Sequence, residues 1–518
     1  MERDRQTVIV GAGIGGLVCA IMLAARGARV CVIEKEAGPG GKARQLDVDH
    51  VPIDAGPTVF TLRSVFDAVF EAAGASMEDH LVLRRADVLA RHAWGDGSQL
   101  DLFADHERSC EAVRQFAGAR GEAGFRSFSA EARRIFDILD APLLRRSKTY
   151  PPGLMWRIGL WRVGALLAIR PYESLWKVLH EHFDDPRLIQ LFARYTTYCG
   201  SSPFLTPATL MLIAHVEAQG VWAIEGGISA LAGALEKLAR HLGVSIRYDT
   251  AAQCIETAGG RISGVTLANG ERIAADHVVF NGDPAALAAG MLGPDVTSAV
   301  RRVPEKKRSL SALVWLAHAR CEGFDLAHHN VFFSADYPAE FRDIASGRPP
   351  SDPTAYVCAL DRGSGDTPAG RERFQIIVNA PANGDTHALG TREREQCTNA
   401  MLNRLSACGL TLEEPLPHRL VTPEDFSRLF PGTGGALYGR ASHGWAASFL
   451  RPGSRTAIPG LYCAGGATHP GAGVPMAALS GIQASEALLA DQPSTSWFHR
   501  RATAGGMSTR SAMTAPMG

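Results

Sequence analysis

The residues with the plainest chemical purpose stand at the start of the chain. Thr7-Val8-Ile9-Val10 runs into Gly11-Ala12-Gly13-Ile14-Gly15-Gly16, and Glu34 closes the next apolar run, Val30-Cys31-Val32-Ile33. A strand, a glycine turn, a helix start and a second strand ending in an acid form the pattern that holds an adenylated dinucleotide. Gly11 permits the tight turn, Gly13 lets backbone approach a pyrophosphate, and Gly16 lets the helix pack closely on the strand. With Gly15 in the same turn, the helix N-terminus presents unpaired N–H groups to the phosphates. Glu34 stands about twenty residues on, where an acid accepts a hydrogen bond from a ribose 2′-OH.

The elements that must position this turn are spread along a chain of 518 residues, long enough for two domains or more. Net charge is zero, so no overall field argues for nucleic acid. The ten cysteines show neither paired CxxC spacing nor metal-ligand spacing, so no metal site is expected and reduced, intracellular usage is. The charged start, Met1 to Gln6, runs directly into the first strand, which predicts a cytoplasmic protein without a signal peptide. After Thr58 the texture turns helical, with patterns over Glu111–Ala117, Phe125–Leu139, Leu175–Phe183 and Arg187–Tyr195. The β/α texture returns at Gly226-Gly227, with a helix to Leu242 and strands at Ser245–Tyr248, Gly264–Leu267 and His277–Phe280. Gly259-Gly260 and Asn269-Gly270 mark turns between them. Strands are also expected at Ser311–Ala317, Ala355–Leu360, Phe374–Asn379 and after Gly460, then a helix over Val474–Leu489. This divides the chain into a discontinuous nucleotide-binding part (1–104, 222–285, 445–492), a second part (105–221, 286–444) and a tail expected to be disordered (493–518).

No segment is long and pure enough to span a membrane. The nearest, Leu154 to Ile169, is interrupted by Arg157 and Arg162 and flanked by Arg145, Arg146, Lys148, Arg170 and Lys177. Tryptophans among arginines suit a bilayer headgroup boundary, and equally a helical lid over an apolar pocket; the two readings are compatible.

From Val8 to Leu489 the chain resembles the flavin-dependent carotenoid desaturases of the bacterial phytoene-desaturase type. The marks are Val10 to Leu17, Glu34-Lys35, Gly40-Gly41-Lys42-Ala43, Asp54-Ala55-Gly56-Pro57-Thr58, Gly226-Gly227, Asn281-Gly282-Asp283-Pro284 and Gly466-Ala467-Thr468-His469-Pro470-Gly471-Ala472-Gly473-Val474-Pro475. The resemblance implies an α/β fold of the glutathione-reductase and amine-oxidase type: a Rossmann-type domain for FAD with an inserted α+β substrate domain. Many flavoproteins place an acid before the final helix, and Ala464-Gly465-Gly466-Ala467 has none, as in the desaturases. Phe192 to Phe204 and Ala55 to Thr61 look most like the hydroxycarotenoid (methoxyneurosporene-type) 3,4-desaturases of the spheroidene route.

On that resemblance, FAD contacts are expected from Gly11, Gly13, Gly15, Gly16, Glu34, Lys35, Gly41, Lys42, Ala43, Gly56, Pro57, Thr58, Val244, Gly466, Gly473, Val474, Pro475 and Met476. Gly40-Gly41 with Lys42 and Arg44 wraps the phosphate or ribityl side, or is a solvated loop. Gly56-Pro57 brings backbone to the isoalloxazine, or is a turn. The helix start at Val474-Pro475-Met476 offers N–H groups and a positive dipole end to the reduced flavin. Val244 to Tyr248 resembles the strand beside the adenine, and ordinary sheet accounts for it equally. His469 either assists a proton transfer or holds backbone at the helix start. Arg194, with Tyr195 and Tyr198, either walls a polyene tunnel and reaches a terminal oxygen, or is a satisfied arginine on an amphipathic helix. Asp137, with Asp140, Arg145 and Arg146, is either an acid/base station at the tunnel end or a solvated face.

The implied reaction is hydride loss to flavin N5 beside a conjugated polyene, then proton loss to water or a weak base, which requires no catalytic dyad. Reoxidation falls to oxygen or a quinone, because a second complete GxGxxG for a nicotinamide is absent. A phytoene desaturase or carotenoid isomerase shares the motifs. A prenyl-lipid carrier on the same fold lacks the flavin-holding residues that are intact here. The expected partners are an apolar carotenoid and the inner face of a membrane, met peripherally, with no nucleic acid.

Overall fold

A computed structural model describes residues 6–159, 161–363 and 368–492. The expected tail at 493–518 and the first five residues lie outside the described residues. The β-branched run Gln6–Val10 (β1) takes the centre of a five-stranded sheet. Its neighbours are Arg29–Ile33 (β2), Ser245–Arg247 (β3), His277–Phe280 (β4) and Leu461–Cys463 (β5), labelled within this sheet alone, in the spatial order β5-β4-β1-β2-β3. Every pairing is parallel. Val8, Ile9, Val32, Val278 and Val279 are wholly buried, which is why these strands read as continuous apolar runs rather than alternating ones.

Three helices pack on one side: Ile14–Ala24 (α1), Ile228–His241 (α2) and Val474–Ala490 (α3). Glycines set how closely they approach. A Cβ on Gly16 would lie 2.2 Å from the Gly11 carbonyl oxygen, and one on Gly481 of α3 would lie 2.2 Å from the Gly15 carbonyl of α1. The sheet is therefore built from pieces at the start, middle and end of the chain, with all three helices meeting behind the glycine turn.

The second layer is a seven-stranded sheet, mostly antiparallel, running His418–Val421, Ser311–Ala319, Glu372–Ala380, Ala355–Ala359, His329–Phe332, Val88–Ala93, Gln99–Phe103. Here the structure corrects the expected boundary at 104. The hairpin of Val88–Ala93 with Gln99–Phe103 belongs to this sheet, joined to it through the parallel pairing of Asn330 with Arg91. Long-range pairing across some 240 residues decided its place, and no local signal records that. The turns at Gly259-Gly260 and Gly270 adopt positive φ and connect a small three-stranded antiparallel sheet, in which Ala252–Ala258 is a strand the periodicity did not reveal.

Helix His106–Leu139 bends at Gly118 (φ 74°). With Leu175–His182 and Pro186–Ala193 it builds an aromatic core in which Phe192 stacks on Phe183 (4.9 Å) and meets Phe128 (4.6 Å). The chain then tightens into a 3₁₀ segment, Arg194–Cys199, where a continuing α-helix was expected to Tyr195. The tightening turns Arg194 and Tyr198 toward the interior described next.

Candidate active site

A single cavity of about 700 Å³ runs from the glycine turn, between the two sheets, to the helical layer. At one end lie Gly11, Gly13 and Gly15 and the N-terminus of α1; the start of α3, at Gly473 to Met476, opens on the same space. Gly473 (φ 108°) and Gly471 (φ 136°) hold backbone conformations that side chains rarely adopt, and they carry the chain from the cis His469-Pro470 bond into α3. Two helix N-termini thus present free N–H groups and positive dipole ends to one cavity.

Glu34 is buried at the rim, its carboxylate accepting from the N–H groups of Ala12 (2.7 Å) and Glu36 (3.0 Å). Backbone donors fix its orientation, with lone pairs left for further hydroxyl donors. The loop Gly40-Gly41 lies across the glycine turn: Gly40 N–H donates to the Ala12 carbonyl (2.9 Å), and Gly13 bridges to Gly40. Lys42 is half-buried, donates to the Leu437 carbonyl and stands over the Phe430 ring (4.9 Å). Burial pushes its ammonium pKa down, against the pull of Asp283.

Asp283 supplies the carboxylate that the last segment of sequence lacks. Its Oδ1 caps the next helix at the Ala285 N–H (2.9 Å), while its Oδ2 is buried without a partner among residues lining the cavity. Burial raises its pKa despite Lys42 and Arg451 nearby. Arg451 is buried with no acid partner among the described residues, donating to the Tyr438 (2.7 Å) and Arg440 (2.8 Å) carbonyls. The signal for Asp283 was present in Asp283-Pro284, an N-cap followed by proline; its position against the cavity was not.

Gly56, Pro57 and Thr58 line the middle of the cavity. Glycine is required at position 56 by protein rather than ligand, since a Cβ there would lie 1.9 Å from the Lys42 carbonyl. Asp54 faces away and caps α2, accepting from the Ile228 N–H (2.6 Å) and the Ser229 hydroxyl (2.8 Å). Gly227 (φ 82°) leaves room for it.

Beyond Thr58 the wall turns polar. Tyr356 donates to Thr58 Oγ1 (2.7 Å) and accepts from His329 Nδ1 (2.7 Å). Arg194 lies against the Tyr356 ring (5.3 Å) and donates to Tyr198 Oη (3.0 Å). Tyr198 (3.1 Å) and Tyr195 both donate to the buried Glu217, whose carboxyl pKa burial raises. Behind Tyr356, His328, His329 and Cys358 bring ligand-type atoms within 4.8 Å of one another, a grouping their spacing did not signal.

Most of the residues singled out in the sequence converge here: Gly11, Gly13, Gly15, Glu34, Lys35, Gly41, Lys42, Ala43, Gly56, Pro57, Thr58, Gly466, Gly473 to Met476, Arg194 and His469 all line the cavity. Three do not. Gly16 packs against the Gly11 turn. Val244 is buried in the core, and Thr250, Ala251 and Ala252 stand at that edge of the cavity instead. Asp137 is on the surface, its side chain 63% exposed beside Arg133, in a separate shallow cleft, and Asp140 pairs with Arg145 (2.9 Å). This group is a solvated face. His469 Nε2 donates to the Leu143 carbonyl (2.9 Å), and burial lowers its pKa to about 4, so it is a neutral tie between the α3 loop and the helical layer.

Residues 14–489 match the flavin containing amine oxidoreductase family. The chain is 51% identical over 522 residues to the hydroxyneurosporene desaturase of Rubrivivax gelatinosus, covering 99% of each. The chain belongs to this flavin-dependent family, on its carotenoid-desaturase branch. Its identity to the hydroxyneurosporene desaturase of Cereibacter sphaeroides is 47%, over 95% of the chain and 99% of the relative. A zeta-carotene-forming phytoene desaturase from Myxococcus xanthus is more distant, at 30% over 99% of the chain and 98% of the relative. In fold it is similar to an oxidoreductase from Methanosarcina mazei (TM-score 0.60, 18% identity, 93% of this chain and 100% of that one) and to putrescine oxidase (TM-score 0.58, 14% identity, 94% and 99%). The cofactor is FAD. The cavity fits it on its own terms: paired helix N-termini, a backbone-held acid at the adenosine end, and buried oxygens on Asn281 and Asp283 along its wall that have no partner among the described residues.

Proposed function

We propose that the protein is an FAD-dependent desaturase that introduces a C-3,4 double bond into 1-hydroxycarotenoids of the hydroxyneurosporene type. The observation that carries this reading is the pairing of a flavin-type cavity with near-full-length identity to two hydroxyneurosporene desaturases. FAD, when bound, supplies the hydride acceptor; the substrate loses a hydride from one carbon and a proton from its neighbour, and oxygen or a quinone restores the oxidised flavin. Gly11, Gly13, Gly15, Glu34, Lys35, Gly41, Lys42, Ala43, Gly466 and Gly473 to Met476 hold the cofactor, with Asp283 facing its ribityl chain. Gly56 to Thr58 border the reacting bond. The remaining wall, with Leu139, Leu143, Leu212 and Ile213, excludes water and aligns an apolar chain.

The same reading includes peripheral contact with the cytoplasmic face of a bilayer. Trp156 (70% exposed), Trp161 (81%), Leu167 (72%), Tyr172 (79%), Leu205 (58%) and Trp445 (46%) form the exposed apolar residues of adjoining segments. Tyr172 meets Trp445 (5.8 Å), Gly444 N–H donates to the Leu205 carbonyl (2.9 Å), and Ser448, three residues after Trp445, lines the cavity. Such a patch on a chain with an apolar substrate suits uptake from lipid. The flanking cations contribute less than their sequence promised: Arg170 is paired with Glu131, Glu173 and Glu181, and Lys148 donates to the Arg451 carbonyl. Attraction therefore rests on apolar burial rather than charge. No helix among the described residues is long and apolar enough to cross a membrane.

The test is product identification. The FAD-loaded enzyme incubated with 1-hydroxyneurosporene in liposomes yields a polyene longer by one double bond, placed at C-3,4 by NMR. A product unsaturated elsewhere, or turnover of phytoene alone, overturns the assignment.

A further inference from the structure

The polar wall beyond Thr58 is out of keeping with an otherwise apolar substrate channel. Burying a guanidinium, a carboxyl and three tyrosines beside a hydrocarbon is costly unless each finds a partner. Most do, but two oxygens and a set of donors do not. Arg194 is 9% exposed and makes one side-chain hydrogen bond, to Tyr198, although its guanidinium carries five N–H groups. Among the described residues, Tyr337 Oη is buried with no partner, and Gln375 Oε1 likewise. All three residues line the cavity.

Their place is specific. Arg194 lies on the Tyr356 ring, and Tyr356 is hydrogen-bonded directly to Thr58, the residue after Gly56-Pro57. Arg194 is therefore one side chain away from the segment that borders the reacting bond, with Tyr337 on the same cavity wall. In a 1-hydroxycarotenoid the oxygen is separated from C3 by three covalent bonds, so it must lie within about 4 Å of C3 when that bond reacts. An oxygen-binding subsite deep in the helical layer, or at the membrane-facing mouth, could not serve; one beside Thr58 can.

We propose that Arg194, with Tyr337 beside it, forms the subsite that binds the tertiary oxygen of the substrate's end group and so sets the C-3,4 bond in register. This rests on the hydroxycarotenoid reading above. The guanidinium donates to the oxygen, and Tyr337 fills its second hydrogen-bonding position. Because the main recognising group is a donor, a 1-methoxy end group is accepted as well as a 1-hydroxyl, while a hydrocarbon end leaves buried N–H groups unpaired and is rejected. The guanidinium is screened from the carbon losing hydride by the rings of Tyr198 and Tyr356 that it lies against.

The test compares 1-hydroxyneurosporene with neurosporene, in liposomes, for the flavin-loaded wild type, Arg194→Met, Arg194→Lys and Tyr337→Phe, reading both kcat/KM and substrate Kd by polyene absorbance. Arg194→Met keeps length and volume but no donor. It is expected to lower the hydroxylated-to-hydrocarbon ratio about 10- to 100-fold, the factor for one hydrogen bond to a charged group. Arg194→Lys restores part of the ratio, and 1-methoxyneurosporene follows the hydroxylated substrate throughout. Tyr337→Phe removes an oxygen with no partner in the fold and is expected to lower the ratio about 3- to 10-fold; it carries the test alone if Arg194→Met fails to hold flavin. A wild-type preference that persists unchanged in the variants overturns the subsite. A wild type without preference overturns the hydroxycarotenoid reading beneath it.

Discussion

Replacing Gly16 with alanine separates a steric role from a conformational one. Its Cβ would lie 2.2 Å from the Gly11 carbonyl oxygen and 2.8 Å from Asn281 Nδ2. That is roughly 1 Å inside ordinary contact. Neither neighbour can yield cheaply: the Gly11 carbonyl belongs to the phosphate turn, and Asn281 braces it by donating to that same carbonyl (3.2 Å). The helix must move instead, and overpacking of this kind costs about 1–3 kcal/mol of stability. The functional consequence is larger in kind, because α1 carries the Ile14 and Gly15 N–H groups away from the pyrophosphate. Loss of one charge-assisted hydrogen bond lowers FAD affinity about 10- to 100-fold. Gly27→Ala is the internal control. Gly27, just past the far end of the same helix, has a positive φ (79°), which Gly16 does not, and nothing lies within 4 Å of its Cβ. Its cost is the left-handed backbone alone, about 1 kcal/mol after the gain from a less flexible unfolded chain. Denaturant unfolding of the apoprotein and flavin-fluorescence titration of both variants give the comparison. Gly16→Ala that binds FAD as tightly as Gly27→Ala refutes the reasoning, since the two then differ in nothing the geometry says they should.

Other consequences are as direct. Asp54→Ala leaves the Ile228 N–H and the Ser229 hydroxyl without their acceptor and is expected to destabilise the fold by about 2 kcal/mol in equilibrium unfolding. His469 has a folded pKa of about 4 against 6.5 in the unfolded chain, so the unfolded state takes up the proton first. The stability it contributes is complete above pH 6.5 and is lost as pH falls toward 4, by up to ~3 kcal/mol. His469→Gln, which keeps a donor for Leu143, removes that part of the acid sensitivity, and urea midpoints measured between pH 4 and 7 check it. Replacing Trp156, Trp161 and Trp445 with serine is expected to abolish flotation with neutral liposomes while leaving FAD binding intact; flotation that survives, or that vanishes in moderate salt, contradicts apolar anchoring.

The nucleotide turn was legible because its chemistry is local: glycines, an acid and a change of hydrophobic period lie within one βαβ unit. The start of α3 was legible for the same reason, since Gly471 and Gly473 have no use but their backbone angles. What escaped was set by long-range contact. The hairpin of Val88–Ala93 with Gln99–Phe103 takes its place only through His329–Phe332, some 240 residues on. Gly56 looks like a ligand-contacting glycine until Lys42 is found against it. Asp283 reads as a helix cap, which it is, and its second oxygen becomes significant only when Lys42 and Arg451 are seen around it. At the charge-rich stretch near Asp137 the sequence left two readings open, and only burial decides between them: Asp137 lies on the solvent face.

An anaerobic mixture of FAD-loaded enzyme and liposomal 1-hydroxyneurosporene, followed by absorbance, shows most directly whether this cavity passes hydrogen from a hydroxycarotenoid to FAD. The expected result is bleaching of the flavin band together with a red shift of the polyene, in equal amounts and without added oxidant. A flavin that stays oxidised with 1-hydroxyneurosporene but bleaches with phytoene contradicts it.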